Sequence, residues 1–236
     1  MSLIYEFRAD LLHVYLYRSR REMARSAAAA VATEIRSLIS ERKRAIGIFA
    51  SDPSHSDFLD ELARTPDLEW TRVIGFHLDE YLDLEAEAPQ SFRRFLLDRL
   101  VKRVPIAEFH PIRGEAVNPQ AVCANYAALL KSRPPDFALL GIGENGCLGL
   151  LNAYDCDFND AAAVKIVEPD RDQPGARRAI SLTIPTIMSC RSLFAIVPAG
   201  ERQEAIKRMI EGEIGSACSG SILRTHPNAH LFFSRQ

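Results

Sequence analysis

Residues 136–147 read DFALLGIGENGC, a short apolar run that ends in three closely spaced glycines. The apolar run is typical of a buried strand, and a tight turn is expected after it because glycine permits positive φ and close backbone approach. Short β-branched runs separated by longer helical patterns continue in both directions along the chain. This alternation predicts a mostly parallel sheet with helices on both faces. We therefore expect an α/β fold, a Rossmann-like three-layer arrangement in which residues 1–236 form a single domain.

Seven further strand patterns accompany this one. They are LLHVYLY (11–17), AIGIFA (45–50), WTRVIGF (70–76), AVKIVE (163–168), ISLTI (180–184), LFAIV (193–197) and AHLFF (229–233). Helical patterns follow Ser19, begin near Ser54, and span 90–102, 119–131 and 201–212. Ser19 and Glu22 have the spacing of a capping box, which predicts where the first helix begins.

The composition excludes several classes of protein. With 47% hydrophobic residues, 25% charged residues and a net charge of −2, the chain has the make-up of a globular protein. A sequence pI near 6.3 argues against a nucleic-acid partner, which normally requires a basic face. No apolar stretch approaches the roughly 20 residues that span a bilayer, and the N-terminus lacks a secretory signal pattern. We expect no membrane partner and a cytoplasmic location.

Metal ions and organic cofactors are not expected. The five cysteines are odd in number and scattered without a CxxC pair, which argues against a disulfide framework and a structural zinc site. No pair of histidines has metal-ligand spacing. The glycine turn comes too late in the chain, and with the wrong glycine spacing, for a dinucleotide site.

Ligands of open α/β sheets bind beyond the carboxyl ends of the strands. The predicted strand ends are ASDPSHS (50–56), HLDEY (77–81), GENGC (143–147) and PAGER (198–202). The charged, turn-rich segment 168–178 is long enough to form a lid over such a site.

Three of these strand ends carry candidate chemistry. Asp79, in a partly apolar pocket, can act as a general base; alternatively it is a loop carboxylate that caps a helix or lies in solvent. Cys147 is either a nucleophile or an inert buried thiol. Arg202 follows a glycine at a helix start, where a phosphate would bind; alternatively it is a solvated charge.

Several stretches together resemble the glucosamine-6-phosphate deaminase and 6-phosphogluconolactonase superfamily, and its deaminase branch in particular. These are GFHLDEY (75–81), Ser91 within APQSFRRFL, DFALLGIGENG, LTIPTI (182–187), PAGER with IEG (210–212), and HPNAHLFF (226–233). They follow the family order over roughly the whole chain. The F-x-x-D-E-Y block is the most specific of them.

The resemblance implies a catalytic set. The first acid of the D-E-Y block moves a proton between C1 and C2 of the opened aminosugar, which gives this role to Asp79 with Glu80 beside it. The family glycine turn reads G-N-D-G-H-I-A-F-N-E-P, and its Asp, His and Glu open the sugar ring. The matching residues here are Asn145, Cys147 and Asn152. All three family residues are replaced.

The resemblance also implies a phosphate site that is altered. The family loop T-G-S-T-P corresponds to ASDPS, which lacks the family glycine and puts Asp52 next to the expected anion; Ser51 is the candidate phosphate ligand of this loop. Lys165, Arg202 and either Arg177 or Arg178 correspond to the family's basic residues. The expected partner is therefore a small-molecule sugar phosphate.

Amide side chains do not titrate near neutral pH, so Asn145 and Asn152 cannot perform acid–base catalysis. Losing such catalysis costs roughly 10²- to 10⁴-fold in the step concerned. Glu144 can substitute if the turn shifts by one residue, and Cys147 is a second substitute acid or base. The sequence therefore predicts an isomerase or deaminase-like protein with weak activity on glucosamine 6-phosphate. Asp79 is expected to act on a sugar phosphate that binds in its open-chain form.

Two alternatives remain open from the sequence. One is a catalytically inactive sugar-phosphate binder or sensor. The other is a 6-phosphogluconolactonase-like hydrolase, against which the loss of the histidine at Cys147 also counts. The oligomeric state is left open, with a homo-oligomer among the possibilities.

Overall fold

The computed structural model describes residues 3–85, 87–153, 155–168, 177–198 and 200–235, with Glu201 described only in its backbone. Most of the segment predicted to form a lid, residues 169–176, lies outside the described residues. No helix in the described ranges is long and apolar enough to cross a membrane.

An eight-stranded sheet forms the centre of the fold. Its order is β1-β2-β11-β10-β7-β3-β4-β6, and every neighbouring pair is parallel except β1 with β2. The strands are β1 (Leu3–Ala9), β2 (Leu12–Tyr17), β3 (Ala45–Phe49), β4 (Val73–His77), β6 (Glu108–His110), β7 (Phe137–Leu140), β10 (Ser192–Pro198) and β11 (Ala229–Ser234).

Helices cover both faces of this sheet. They are α1 (Arg20–Arg42), α2 (Ser56–Ala63), α3 (Phe92–Leu96), α4 (Pro119–Ser132), α5 (Ile184–Met188) and α6 (Gln203–Glu211). One core joins α1, α2 and α3 to the sheet, and a second core joins α4, α5 and α6 to its other face. The predicted mostly parallel three-layer α/β fold is confirmed.

Helix α1 shows how local sequence fixes an element. Ser19 accepts a hydrogen bond from the backbone N–H of Glu22, as the capping-box pattern predicts. Alanine and larger apolar residues recur at three- and four-residue spacing and are buried. The helix ends at Lys43, which adopts the left-handed conformation with φ 66°.

A second sheet of three antiparallel strands lies beyond the carboxyl ends of the first. It contains β5 (Asp79–Tyr81), β9 (Ala179–Leu182) and β8 (Val164–Val167), in the order β5-β9-β8. The sequence predicts β8 and β9 as strands but not β5, β1 or β6. Three-residue strands such as β5 and β6 are too short to show periodicity, so only their pairing partners define them.

Several predicted boundaries differ from the structure. The strand predicted over 180–184 ends at Leu182, and Ile184 begins α5. Trp70–Arg72 is a 3₁₀ turn, so the strand expected to begin at Trp70 begins at Val73. The helix predicted over 90–102 consists of α3 followed by a π-helical turn, Leu97–Val101.

The chain reverses its direction of travel across the sheet between β3 and β7. From β3 it moves through β4 to β6, and it then crosses to β7, β10 and β11 on the other side. Ligand sites of open α/β sheets lie at such a switch point. The fold thus points to the carboxyl ends of β3 and β7.

Candidate active site

A cleft of about 320 Å³ lies at this switch point. All four predicted strand ends contribute to it, through Ser51, Asp79, Gly143 and Arg202. The complete lining consists of Ala50, Ser51, Asp52, Pro53, Leu78, Asp79, Tyr81, Phe92, Gly141, Gly143, Gly149, Leu150 and Arg202. The sequence-predicted strand ends therefore meet in three dimensions.

A larger groove, of about 700 Å³, lies between α4 and β8. Alanine and proline dominate its lining, and Lys131 is its one charged residue within the described ranges. It has no carboxylate or histidine that could transfer a proton. The smaller cleft is the one with groups that can perform chemistry.

Asp79 is the acid in the cleft whose pKa is shifted most. Asp79 is only 2% exposed, and its Oδ2 accepts a hydrogen bond from the backbone N–H of Leu150 at 3.0 Å. Burial raises the pKa of Asp79 to about 8, and the neighbouring Glu80 carboxylate pushes it in the same direction. A carboxyl group with this pKa can take up and release a proton near neutral pH.

Gly149 makes room for the Asp79 carboxylate. It has φ +59°, and a Cβ built there would lie 2.8 Å from Asp79 Oδ2. The backbone conformation and the lack of space both favour glycine. On its other side Asp79 is fixed by β5, where it pairs with Ser181 of β9.

Glu80, the next acid, is bound to the start of α3. Its Oε2 accepts the Ser91 hydroxyl at 2.9 Å and the Arg93 N–H at 2.8 Å, while Oε1 accepts the N–H groups of Phe92 and Tyr81. A carboxylate at a helix N-terminus satisfies N–H groups that otherwise lack partners. Glu80 thereby holds Phe92 in the cleft lining.

Arg202 enters the cleft already paired with an acid. Its Nη2 lies 3.0 Å from Asp52 Oδ2, and its Nη1 donates to Ser54 Oγ at 2.8 Å. Burial tends to raise the pKa of Asp52, but His55, the Ser54 N–H and Arg202 more than offset this, so its pKa lies below the ordinary value. Asp52 is therefore ionised at neutral pH, and it neutralises Arg202.

Ser51 contacts a buried histidine. Its Oγ lies 3.1 Å from Nε2 of His77, which has no solvent exposure. Burial, with a smaller effect from Arg93, lowers the pKa of His77 to about 3, so the imidazole is neutral. His77 Nδ1 has no hydrogen-bond partner among the described residues. The imidazole is thus placed to orient the Ser51 hydroxyl.

The other predicted phosphate ligands do not line the cleft. Lys165 donates to Asp160 Oδ2 and to the Asp155 carbonyl, both at 2.9 Å. Arg178 lies 3.3 Å from Glu168. Burial raises the pKa of Tyr81, a lining residue, and the charge of the exposed Arg177 opposes this shift. Arg177 therefore acts electrostatically on a lining residue although it lies outside the cleft lining.

The three substituted positions of the glycine turn also lie outside the cleft lining. Asn145 is exposed, and its side chain accepts the N–H of Cys147 at 3.2 Å. Cys147 is buried. Asn152 donates to Asp155 Oδ2 and to the Glu168 carbonyl, both at 3.0 Å. None of the three lines the cleft.

Comparison with known proteins agrees with this architecture. The model of the family described as glucosamine-6-phosphate isomerases/6-phosphogluconolactonase matches residues 18–228. The chain belongs to this family. A glucosamine-6-phosphate deaminase of Lactococcus lactis subsp. cremoris is 28% identical over 80% of this chain and 84% of its own, and one of L. lactis subsp. lactis is 30% identical over 73% and 77%.

Solved structures show the same fold. A monomeric glucosamine-6-phosphate deaminase has a TM-score of 0.84 at 23% identity, covering 94% of this chain and 97% of its own. The 6-phosphogluconolactonase of Thermotoga maritima has a TM-score of 0.82 at 16% identity, covering 95% and 100%. Both branches of the glucosamine-6-phosphate isomerase/6-phosphogluconolactonase family thus share this architecture.

Several residues that line this family member's cleft are not singled out by the sequence. Among them are Tyr81, Phe92, Gly149 and Leu150, whose N–H donates to Asp79. Gly149 could have been found, because a fourth glycine follows the three already noted. No sequence pattern predicts the hydrogen bond from the Leu150 N–H, because every residue except proline has a backbone N–H.

Among the described residues, no group of three or more His, Cys, Asp and Glu side chains could hold a metal ion. Acid–base chemistry by Asp79, with Arg202 and Ser51 available to bind ligand oxygens, is the chemistry that the cleft residues offer.

Proposed function

We propose that this chain is an isomerase-type enzyme that moves a proton between C1 and C2 of an open-chain sugar phosphate, with Asp79 as the group that carries the proton. The observation that supports this most strongly is the carboxyl of Asp79, buried in the cleft at the switch point, with a pKa of about 8. Membership of the glucosamine-6-phosphate isomerase/6-phosphogluconolactonase family agrees with a sugar-phosphate substrate.

The proton transfer balances with Asp79 and solvent water. Ionised Asp79 removes a proton from one carbon and returns it to the neighbouring carbon, while water carries the hydroxyl proton between O1 and O2, so the carboxylate is regenerated in each cycle. At pH 7, which lies below this pKa, the protonated form of Asp79 predominates and the ionised form that acts as the base is the minor one. The Leu150 N–H, 3.0 Å from Oδ2, keeps the carboxylate oriented.

The phosphate end of the substrate would lie at Arg202 and Ser51. Arg202 supplies a planar set of donors suited to phosphate oxygens, and Ser51 supplies a hydroxyl. Because Asp52 holds Arg202 in the free protein, phosphate has to replace Asp52 as its partner. Phosphate binding is therefore weakened by the competing carboxylate.

The open-chain requirement follows from the glycine turn. Asn145 and Asn152 have no titrating group, and Cys147 is buried away from the cleft lining. The cleft has no second acid–base group in the family's ring-opening positions. A substrate that arrives open avoids this step.

A catalytically inactive sugar-phosphate binder is the second candidate. The pairing of Arg202 with Asp52 favours it, because a protein that senses phosphate can use such a pair as a switch between two states. The two candidates differ in whether the bound sugar exchanges protons with solvent.

Deuterium uptake at C1 of a ketose phosphate in D₂O, followed by mass spectrometry, distinguishes them. The wild type should exchange and Asp79→Asn should not. Asp98→Asn, the same change at an exposed residue paired with Lys102, should behave as the wild type. Exchange that persists in Asp79→Asn would contradict the proposal, and stabilisation by the sugar phosphate without any exchange would favour the binder.

A further inference from the structure

Strand β1 has an unusually apolar exposed surface. The described residues include seven exposed large hydrophobic side chains, and four of these lie within residues 3–11. Leu3, Tyr5, Phe7 and Leu11 are 40%, 60%, 41% and 44% exposed. Scattered exposed apolar residues are normal, but a cluster of them indicates a contact surface.

The register with β2 shows how the side chains of β1 are divided between the two faces. Tyr5 and Phe7 lie opposite Leu16 and Val14, so their side chains lie on the same face of the sheet as these two residues of β2. Leu16 and Val14 are buried. Glu6 and Arg8 point to the other face, opposite Tyr15 and His13. Both charged residues are exposed.

The outer edge of β1 has no partner strand in the part of the chain that the structure describes. β1 is the first strand in the order of the eight-stranded sheet and pairs with β2. Proteins commonly protect such an edge with proline, charged side chains or β-bulges. Residues 3–9, LIYEFRA, contain no proline or lysine; their charged residues are Glu6 and Arg8, and the register is irregular between Leu3 and Tyr5 but regular from Tyr5 to Ala9. The edge is open to a further strand.

We infer that β1 pairs antiparallel with the β1 of a second copy of this chain, about a two-fold axis through Phe7. In this register Glu6 of each copy lies opposite Arg8 of the other, and the two Phe7 side chains are neighbours on the apolar face. Opposite charges in directly facing positions stabilise antiparallel pairs, and like charges destabilise them.

The alternative two-fold registers match the charges less well. An axis through Glu6 places two carboxylates opposite each other, and an axis through Arg8 places two guanidinium groups opposite each other. An axis through Tyr5 sets Glu6 against Ile4 and leaves its charge without an opposite partner. Of the axes through Tyr5, Glu6, Phe7 and Arg8, the one through Phe7 is the one that pairs opposite charges, as a self-complementary isologous contact requires.

This pairing is independent of the proposed catalytic role. No residue of β1 lines the cleft, which is formed by the ends of β3, β4, β7 and β10. The pairing would extend the eight-stranded sheet across the two-fold axis into the sheet of the second copy.

A charge-exchange experiment tests the register. Molar mass is measured by light scattering during size-exclusion chromatography over a wide range of loading concentrations. The wild type should reach the mass of two chains. Glu6→Lys and Arg8→Glu should each shift dissociation to at least tenfold higher concentration, because each creates two like-charge pairs. The double variant Glu6→Lys/Arg8→Glu should regain the wild-type mass, since it reverses both pairs.

Matched variants show whether the effect belongs to β1. Phe7→Lys should give single chains at all concentrations, whereas Leu129→Lys, the same type of change on the exposed side of α4, should leave the dimer intact. Unchanged melting temperatures would show that each variant is folded. A wild type that stays at the mass of one chain, single charge variants that dimerise normally, or a double variant that stays dissociated would each overturn the inference.

Discussion

Asp52 and Arg202 face each other across the cleft at 3.0 Å, each about 20% exposed in its side chain. They come from the ends of β3 and β10, 150 residues apart in the chain. The predicted phosphate ligand therefore has a carboxylate partner before any substrate binds. The charge of the pair is balanced, so the cleft attracts anions less than an isolated arginine would.

Replacement of Asp52 by asparagine should strengthen binding of phosphorylated ligands. At an effective dielectric constant of about 20, unit charges about 4 Å apart interact by about 4 kcal/mol. Solvent screening at this partly open site reduces that value, so we expect a gain of about tenfold in affinity, or about 1.4 kcal/mol. Titration calorimetry with a linear polyol phosphate measures it, and the unphosphorylated polyol is the matched control. Weaker phosphate binding by Asp52→Asn would show that Asp52 orients Arg202 instead.

The exchange rate should depend on the ionisation of Asp79. Since burial raises the pKa of this carboxyl to about 8, kcat/KM for C1–C2 exchange should rise with pH and level off above about pH 8. Asp79→Asn should lose at least about 10²-fold. A profile that levels off near pH 4 would assign the proton transfer to a carboxyl with an ordinary pKa.

The same raised pKa affects stability. The pKa of Asp79 in the folded state lies above its unfolded value, so the folded protein binds more protons between about pH 4 and pH 8. Stability from this group is present below the unfolded pKa and is lost as pH rises through the folded pKa, by up to about 1.4 kcal/mol per pH unit. Denaturant unfolding of the wild type and Asp79→Asn at several pH values measures it. The stability of the variant relative to the wild type should increase with pH over that range; a constant difference would argue against a raised pKa.

Gly149→Ala should impair both stability and exchange. The left-handed conformation costs a non-glycine residue about 1–2 kcal/mol, and the new methyl group would lie 2.8 Å from Asp79 Oδ2. We expect a lower melting temperature and a lower exchange rate, because the carboxylate must move. Gly215→Ala is the matched control, since a Cβ there meets nothing within 4 Å. If both variants behaved alike, the contact between Gly149 and Asp79 would have no role in exchange.

Glu80→Gln separates a positioning role from direct proton transfer. Glutamine keeps the shape of the side chain but turns one acceptor oxygen into a donor that faces the N–H groups or hydroxyl at the start of α3. We expect a stability loss of about 1–3 kcal/mol, with the pH dependence of exchange still set by Asp79. If Glu80→Gln melted like the wild type but lost exchange, Glu80 would act on the substrate itself.

The order of strands and helices could be predicted from sequence because it rests on local patterns. Apolar runs such as AIGIFA and DFALL are short and β-branched or leucine-rich, and the Ser19 cap needs only Glu22 three residues later. The same patterns located the strand ends, and parallel strands bring those ends to one edge of the sheet. The position of Asp79 at the edge of the sheet is therefore predictable from the sequence.

Only the tertiary structure decided how the charged groups are paired. The sequence suggested that Lys165 and Arg202 act together, but Lys165 is bound to Asp160 and Arg202 to Asp52. It also placed Glu80 only beside Asp79, whereas the structure binds Glu80 to the start of α3. Ion pairs form between residues that are close in space, and the strand order brings these residues together from distant parts of the chain. Hydrophobic periodicity, by contrast, depends only on residues that are near one another in sequence. The amino-acid order thus determined the α/β architecture and the location of the acid, while folding determined the raised pKa of Asp79 and the neutralised arginine beside it.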